Sequence, residues 1–197
     1  AAVDAAKAAQ LGKNLTPTGA EKAGNGGAIP AWTGGVNKPI PGFKVGMFHP
    51  DPFASDKIVF TITPANYKQY AANLSVGQIA MFEKYKTFKM NVYPTRRSAA
   101  FPQRTYDFTF KNATTCTLVA NGEGVKNCAE GLPFPIPQNG FEVIWNHKLK
   151  YKGVSFSRFA NQAAPSASGA FTLTAIMEYG LGLYYKPGNN TSNINDI

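Results

Sequence analysis

The segment from Gly131 to His147 constrains this chain more than any other. Its prolines stand at alternate positions, Pro133, Pro135 and Pro137. Each fixes φ and lacks an N–H, so the stretch is extended yet cannot sit inside a hydrogen-bonded sheet. Phe134 and Ile136 alternate with the prolines and lay a stiff apolar strip against another part of the protein. Gly140 then opens a helical pattern in which Phe141, Ile144, Trp145 and Leu149 recur on one face. The segment reads as a rigid brace feeding a helix into a core.

Elsewhere the apolar spacing is of two kinds. Residues 1–11 are Ala-rich and end at Gly12, which predicts a short helix that buries little. Residues 14–46 are rich in Gly and Pro with no sustained period, and Trp32 is their natural anchor. Residues 1–50 are therefore expected to be a largely irregular, wrapping segment. Residues 57–63 alternate like a strand, and Thr63-Pro64 starts a helix with Tyr67, Tyr70, Ala71 and Leu74 inward. Ser75 and Gln78 spell a capping box for a second helix to about Lys86, with Ile79 and Phe82 packed inside.

Alternation then predicts strands around Phe88, Met90 and Val92, around Tyr106, Phe108 and Phe110, and over residues 115–120, 152–160 and 170–179. The last carries Phe171, Leu173, Ala175 and Met177 on one face. Pro187-Gly188-Asn189-Asn190 is a turn signal after which a further strand is expected. Helices and antiparallel strands in this order make a single α+β domain over residues 1–197.

Apolar residues are 44% of the chain and charged residues 16%, which excludes a disordered polymer. The net charge of +9 is concentrated. Lys84, Lys86, Lys89, Arg96, Arg97, Arg104 and Lys111 face Asp107 as the only acid in their span, and Lys148, Lys150, Lys152 and Arg158 come next with none. A solvated surface accounts for this, and so does a surface for anionic lipid or a carboxylate-bearing ligand. Nucleic acid is not an expected partner, because no recognition module and no dense basic run is present.

Cys116 and Cys128 flank a loop containing Asn121, Gly122, Gly124 and Asn127. They are read as a disulfide across a hairpin-like excursion, with two buried thiols as the alternative. A bridge points to an oxidising compartment. The opening Ala-Ala-Val-Asp-Ala-Ala has the character of a mature N-terminus left by signal-peptidase cleavage, without a lipid-anchoring Cys, and no apolar run reaches membrane-spanning length. The expectation is an exported, processed, soluble protein.

Several motifs together resemble one family. They are residues 15–25 (Leu-Thr-Pro-Thr-Gly-Ala-Glu-Lys-Ala-Gly-Asn), 29–35 (Ile-Pro-Ala-Trp-Thr-Gly-Gly), 51–54 (Asp-Pro-Phe-Ala) and 92–100 (Val-Tyr-Pro-Thr-Arg-Arg-Ser-Ala-Ala), with the brace ending Ile144-Trp-Asn-His147. The chain is similar over nearly its whole length to the N-terminal half of a Gram-negative exported family of unknown function. That family is often labelled an outer-membrane lipoprotein-sorting protein and likened to LolA and LolB. The resemblance implies a curved antiparallel sheet, an incomplete barrel, around a few helices with an apolar cavity between them. It implies periplasmic trafficking of a hydrophobic molecule, in company with an inner-membrane exporter or an outer-membrane protein. It transfers no catalytic residue, and the cysteine pair is not part of its signature.

Arg96 and Arg97, after Pro94, form the sharpest candidate for binding. A guanidinium at the mouth of an apolar cavity takes a carboxylate or phosphate bidentately. The alternative is a structural arginine tying loop carbonyls or pairing with Asp107 or Glu83. Tyr106, Phe108, Phe110, Phe156 and Phe171, together with Phe88 and Phe159, either line a ligand cavity or pack a core, since both use the same residue types. Trp145, like Trp32, is read as a core anchor. His49 lies in a turn beside Asp51 with no nucleophile placed by sequence, and His147 is read as a helix C-terminal cation. Two histidines make no metal site, and no cofactor is expected.

These readings converge on a non-enzymatic carrier or acceptor of a lipid-like ligand. A module that docks on an exporter or outer-membrane partner and carries nothing is the alternative. An enzyme on lipid or sterol derivatives is disfavoured by the lack of a nucleophile motif.

Overall fold

In the computed structural model, which describes residues 2–188, the helices are α1 (Ala5–Ala8), α2 (Val76–Lys84), α3 (Gln103–Thr115) and α4 (Gly140–Lys148). The strands are β1 (Phe60–Ile62), β2 (Met90–Val92), β3 (Thr117–Val119), β4 (Gly124–Lys126), β5 (Ser155–Pro165) and β6 (Phe171–Leu181). Among the described residues the strands form three antiparallel pairs, β1 with β2, β3 with β4 and β5 with β6. The architecture is α+β. The polar tail that the sequence places after the Pro187 turn lies outside the described residues. Two compact units divide the chain, Gly24–Ala99 and the combination of Ala1–Ala23 with Ala100–Ile197.

In the Gly24–Ala99 unit the expected capping box forms at Ser75. Its Oγ accepts from Gln78 N at 3.2 Å, and Gln78 Oε1 accepts from Ser75 N at 2.9 Å. That start sets α2 so that Phe82 is buried against Ile62 and Tyr67, with Ile79, Phe88 and Met90 at the margin. The preceding helix forms over Tyr67–Asn73 as a 3₁₀ helix. Three residues per turn bring Tyr67 and Tyr70 onto one face, so Ala71, expected inside, is exposed.

The other unit is built on α3, and here one expectation is overturned. Tyr106, Phe108 and Phe110 lie on a helix, not on a strand. The positions that α3 buries are Thr105, Thr109, Asn112 and Ala113. They recur at i, i+4, i+7 and i+8, a helical period carried by small and polar side chains. The alternating rings mask it, and Phe110 points largely to solvent.

The polar face of α3 exists to serve the brace. Pro133, Phe134 and Pro135 are buried, but the brace has no sheet ladder for its remaining backbone groups. Side chains replace the ladder. Leu132 N donates to Thr109 Oγ1 at 2.9 Å, and Asn112 Nδ2 donates to Ala129 O and Leu132 O at 3.0 and 3.1 Å. From α4, Asn146 Oδ1 accepts from Phe134 N and its Nδ2 donates to Phe134 O, at 2.9 and 2.7 Å. Gly131 is required by the fit, since a Cβ there would meet Thr109 N at 2.4 Å.

Asn146 also fixes how α4 rolls. Its inward positions are Glu142, Trp145, Asn146 and Leu149, whereas Phe141 and Ile144, expected inside, are 58% and 57% exposed. Glu142 Oε2 accepts from Gln138 N and Asn139 Oδ1 caps Glu142 N, so polar contacts override the apolar spacing. Trp145 is half-buried as an anchor, its Nε1 donating to Gly122 O at 2.8 Å.

Cys116 and Cys128 are joined by a disulfide at the base of the β3–β4 hairpin, and both are fully buried. Replacing both by serine should lower the unfolding free energy by about 3 kcal/mol through loop entropy. Urea unfolding of oxidised, reduced and serine forms measures it, and coincident midpoints would contradict it.

Candidate functional site

The β5–β6 ribbon is the largest regular surface of its unit. Its register runs from Ser155 opposite Leu181 to Pro165 opposite Phe171. Alternation puts Phe159, Met177, Ala175, Ala163, Leu173 and Phe171 on one face with Tyr179 and Leu181. The opposite face carries Phe156, Gln162, Thr174 and the Arg158–Glu178 ion pair. The first face is apolar and open, with Phe159 at 65%, Phe171 at 66% and Tyr179 at 72% exposure. Monomeric proteins seldom leave such a contiguous apolar face uncovered unless something binds there.

At the base of the ribbon is a cleft of about 230 Å³. Leu149, Phe156, Leu181 and Leu183 give it an apolar lining, Tyr184 and Tyr185 close it, and Lys148, Lys150 and Lys152 border it. The Phe156 ring lies over Gly180, where a Cβ would come within 2.3 Å of it, so glycine is what lets the ring lie flat. Tyr184 donates to Gly131 O at 2.8 Å and Tyr185 to Leu149 O at 2.5 Å. Burial pushes both hydroxyls far above the ordinary tyrosine range, so they remain donors at any working pH.

The arginine pair lies in the Gly24–Ala99 unit and is already engaged. Arg96 Nε and Nη2 donate to the two oxygens of Asp56, at 2.9 and 2.5 Å, in a bidentate fork. Its guanidinium also stands 5.5 Å from the Phe53 ring centroid. The hydrogen bonds from Arg96 hold the Asp56 carboxyl below its usual range. These residues line an open cleft of about 390 Å³ with Asp51, Ala54, Tyr93 and Pro94. Arg97 Nη1 donates to Pro30 O at 3.4 Å, and Trp32 Nε1 to Ala99 O at 2.9 Å. The pair therefore does the structural work of an ion pair and a loop tie, with Asp56 as a partner that the sequence spacing does not suggest.

The aromatic candidates are dispersed. Tyr106 Oη accepts from Phe101 N at 2.9 Å, Phe108 lies under the Arg104 guanidinium at 5.1 Å, and Phe110 is on the outer side of α3. Phe156 lines the ribbon cleft, while Phe171 belongs to the opposite, apolar face. His49 stacks on Phe43 at 4.6 Å, and His147 is in the last turn of α4. The lysine border is visible in the sequence only as a charge cluster.

Residues 61–197 match the family described as protein of unknown function DUF1329. The chain belongs to this family. The chain is also similar to an uncharacterized protein of Pseudomonas aeruginosa, 48% identical over 180 residues. That match covers 90% of this chain but only 40% of the relative, so the chain spans well under half of the relative's length. No solved structure matches the chain. The buried disulfide points to an oxidising, non-cytoplasmic location for this DUF1329 chain, and no helix among the described residues is long and apolar enough to cross a membrane.

Proposed function

We propose that this DUF1329 chain is part of a periplasmic, non-enzymatic carrier or acceptor of a lipid-like ligand, acting in traffic to or from the outer membrane. The observation that carries this reading is the open apolar face of the ribbon. A single acyl chain laid along Phe159, Met177, Leu173 and Phe171 gains up to about 0.8 kcal/mol for each methylene that becomes fully buried. In a curved sheet of the kind found in LolA and LolB, to which the exported family that the sequence motifs resemble is likened, the ribbon would form part of the concave wall.

A fluorescent fatty acid should bind the full-length protein saturably, with a Kd in the micromolar range or below. Native mass spectrometry of protein purified from its own periplasm should show an extractable lipid or sterol mass. No saturable binding, together with a persistent apo mass after incubation with membrane extract, would overturn the proposal.

A docking module is the second reading, favoured by the ribbon's strand edges. Among the described residues β5 and β6 pair only with each other, so each presents an edge to which another strand can be added. An exporter or outer-membrane partner held by an apo protein would support it.

A further inference from the structure

We infer that the cleft at the base of the ribbon selects single-chain amphiphiles ending in an anion, a carboxylate or a phosphate. The inference rests on the carrier reading and names the chemistry of its cargo. At about 230 Å³ the cleft is smaller than a pocket for a whole drug-sized ligand. It has room for a head group and the first methylenes. Phe156 and Gly180 line the cleft from the face opposite Phe171, while Leu181 belongs both to the cleft and to the apolar face, so Leu181 is the point at which a chain leaving the cleft reaches the face that carries Tyr179 and Met177.

The charge around the cleft is of one sign. Lys148, Lys150 and Lys152 line it and no carboxylate does. Among the described residues none of the three is in an ion pair with Asp or Glu. The Lys148 ammonium is held 3.9 Å from the Trp145 ring centroid. The Leu149 carbonyl at the end of α4 would repel an anion, but it accepts the Tyr185 hydroxyl. Lysine is a point charge without a fork, so this border recognises carboxylate and phosphate alike. A neutral amphiphile gains the apolar lining and nothing from the border.

The test is calorimetric titration of the full-length protein with dodecanoate and dodecyl phosphate, kept below micelle formation, and with 1-dodecanol, kept below its solubility limit. Both anions should bind about tenfold more tightly than the alcohol at low salt, from several weak exposed ion pairs acting together. That ratio should collapse toward unity near 1 M salt, where the screening length falls to about 3 Å. The combined variant Lys148→Gln, Lys150→Gln, Lys152→Gln should bring the anions to the alcohol's affinity. A preference confined to one anion supports the inference and assigns the head group. Equal binding of acid and alcohol in the unmodified protein, or a preference that survives the triple variant, would overturn the inference and leave the carrier reading standing. Saturable binding by none of the three probes would overturn both.

Discussion

Replacing Asn112 by alanine should destabilise this protein by about 4 kcal/mol, far more than the loss of its small amide group would suggest. Asn112 is fully buried. Its Oδ1 accepts from Ala129 N at 3.1 Å, and its Nδ2 serves both Ala129 O and Leu132 O. The backbone it satisfies cannot find a sheet partner, because Pro133 and Pro135 come directly after it and hold the segment against α3. Alanine would leave the two buried backbone groups of Ala129 and the half-buried carbonyl of Leu132 unpaired, at about 1 to 3 kcal/mol for each buried group and less for the other, minus what relaxation and water recover. Asn112→Asp should be at least as harmful despite its matching shape, since a carboxylate would confront the carbonyls of Ala129 and Leu132. Urea unfolding followed by near-ultraviolet dichroism measures both variants. A loss below about 1 kcal/mol for the alanine variant would mean that the brace is held by its apolar contacts alone.

The same cluster explains which parts of the fold are legible from the amino-acid sequence. The capping box at Ser75, the ribbon strands and the cysteine pair are local signals, and each forms within a few residues of where its pattern lies. Helix α3 is not legible, because its buried stripe consists of Thr105, Thr109, Asn112 and Ala113, three polar residues and one small one in place of the large apolar side chains that make a helical period visible. Thr109 and Asn112 act on partners about twenty residues away that have no regular structure of their own, and Ala113 packs on Ala8 and Leu11 from the start of the chain. The roll of α4 is hidden for the same reason, with Asn146 and Glu142 outranking Phe141 and Ile144. Arg96 stands out in the sequence as a fork-forming residue, but its partner Asp56 is 40 residues earlier in an irregular stretch. Where polar side chains bind backbone, periodicity carries no information about the contact. Where apolar side chains alternate without being buried, as along β6, periodicity reports the strand correctly and leaves open what covers it.

What covers it can be settled at Met177. This residue sits mid-ribbon on the apolar face, 53% exposed, with Phe159 directly opposite in the register. Met177→Asp places a carboxylate where the carrier reading puts an acyl chain. Burying that charge under the ligand without a counter-ion should weaken acyl binding by about 3 to 4 kcal/mol, or roughly 100- to 1,000-fold. If the face is a ligand surface, the unliganded protein tolerates the substitution, because the new carboxylate stays in water until ligand arrives. Its melting temperature should then match that of the unmodified protein, while the stabilisation conferred by saturating fatty acid disappears. If protein covers the face instead, the charge is buried in the apo state, and the melting temperature of the full-length variant falls with or without ligand. Met177→Leu serves as the control, since it keeps the apolar volume and should leave both readouts in place. Binding and stability therefore separate at this one position, and a fall in apo stability would move the cargo surface away from the ribbon.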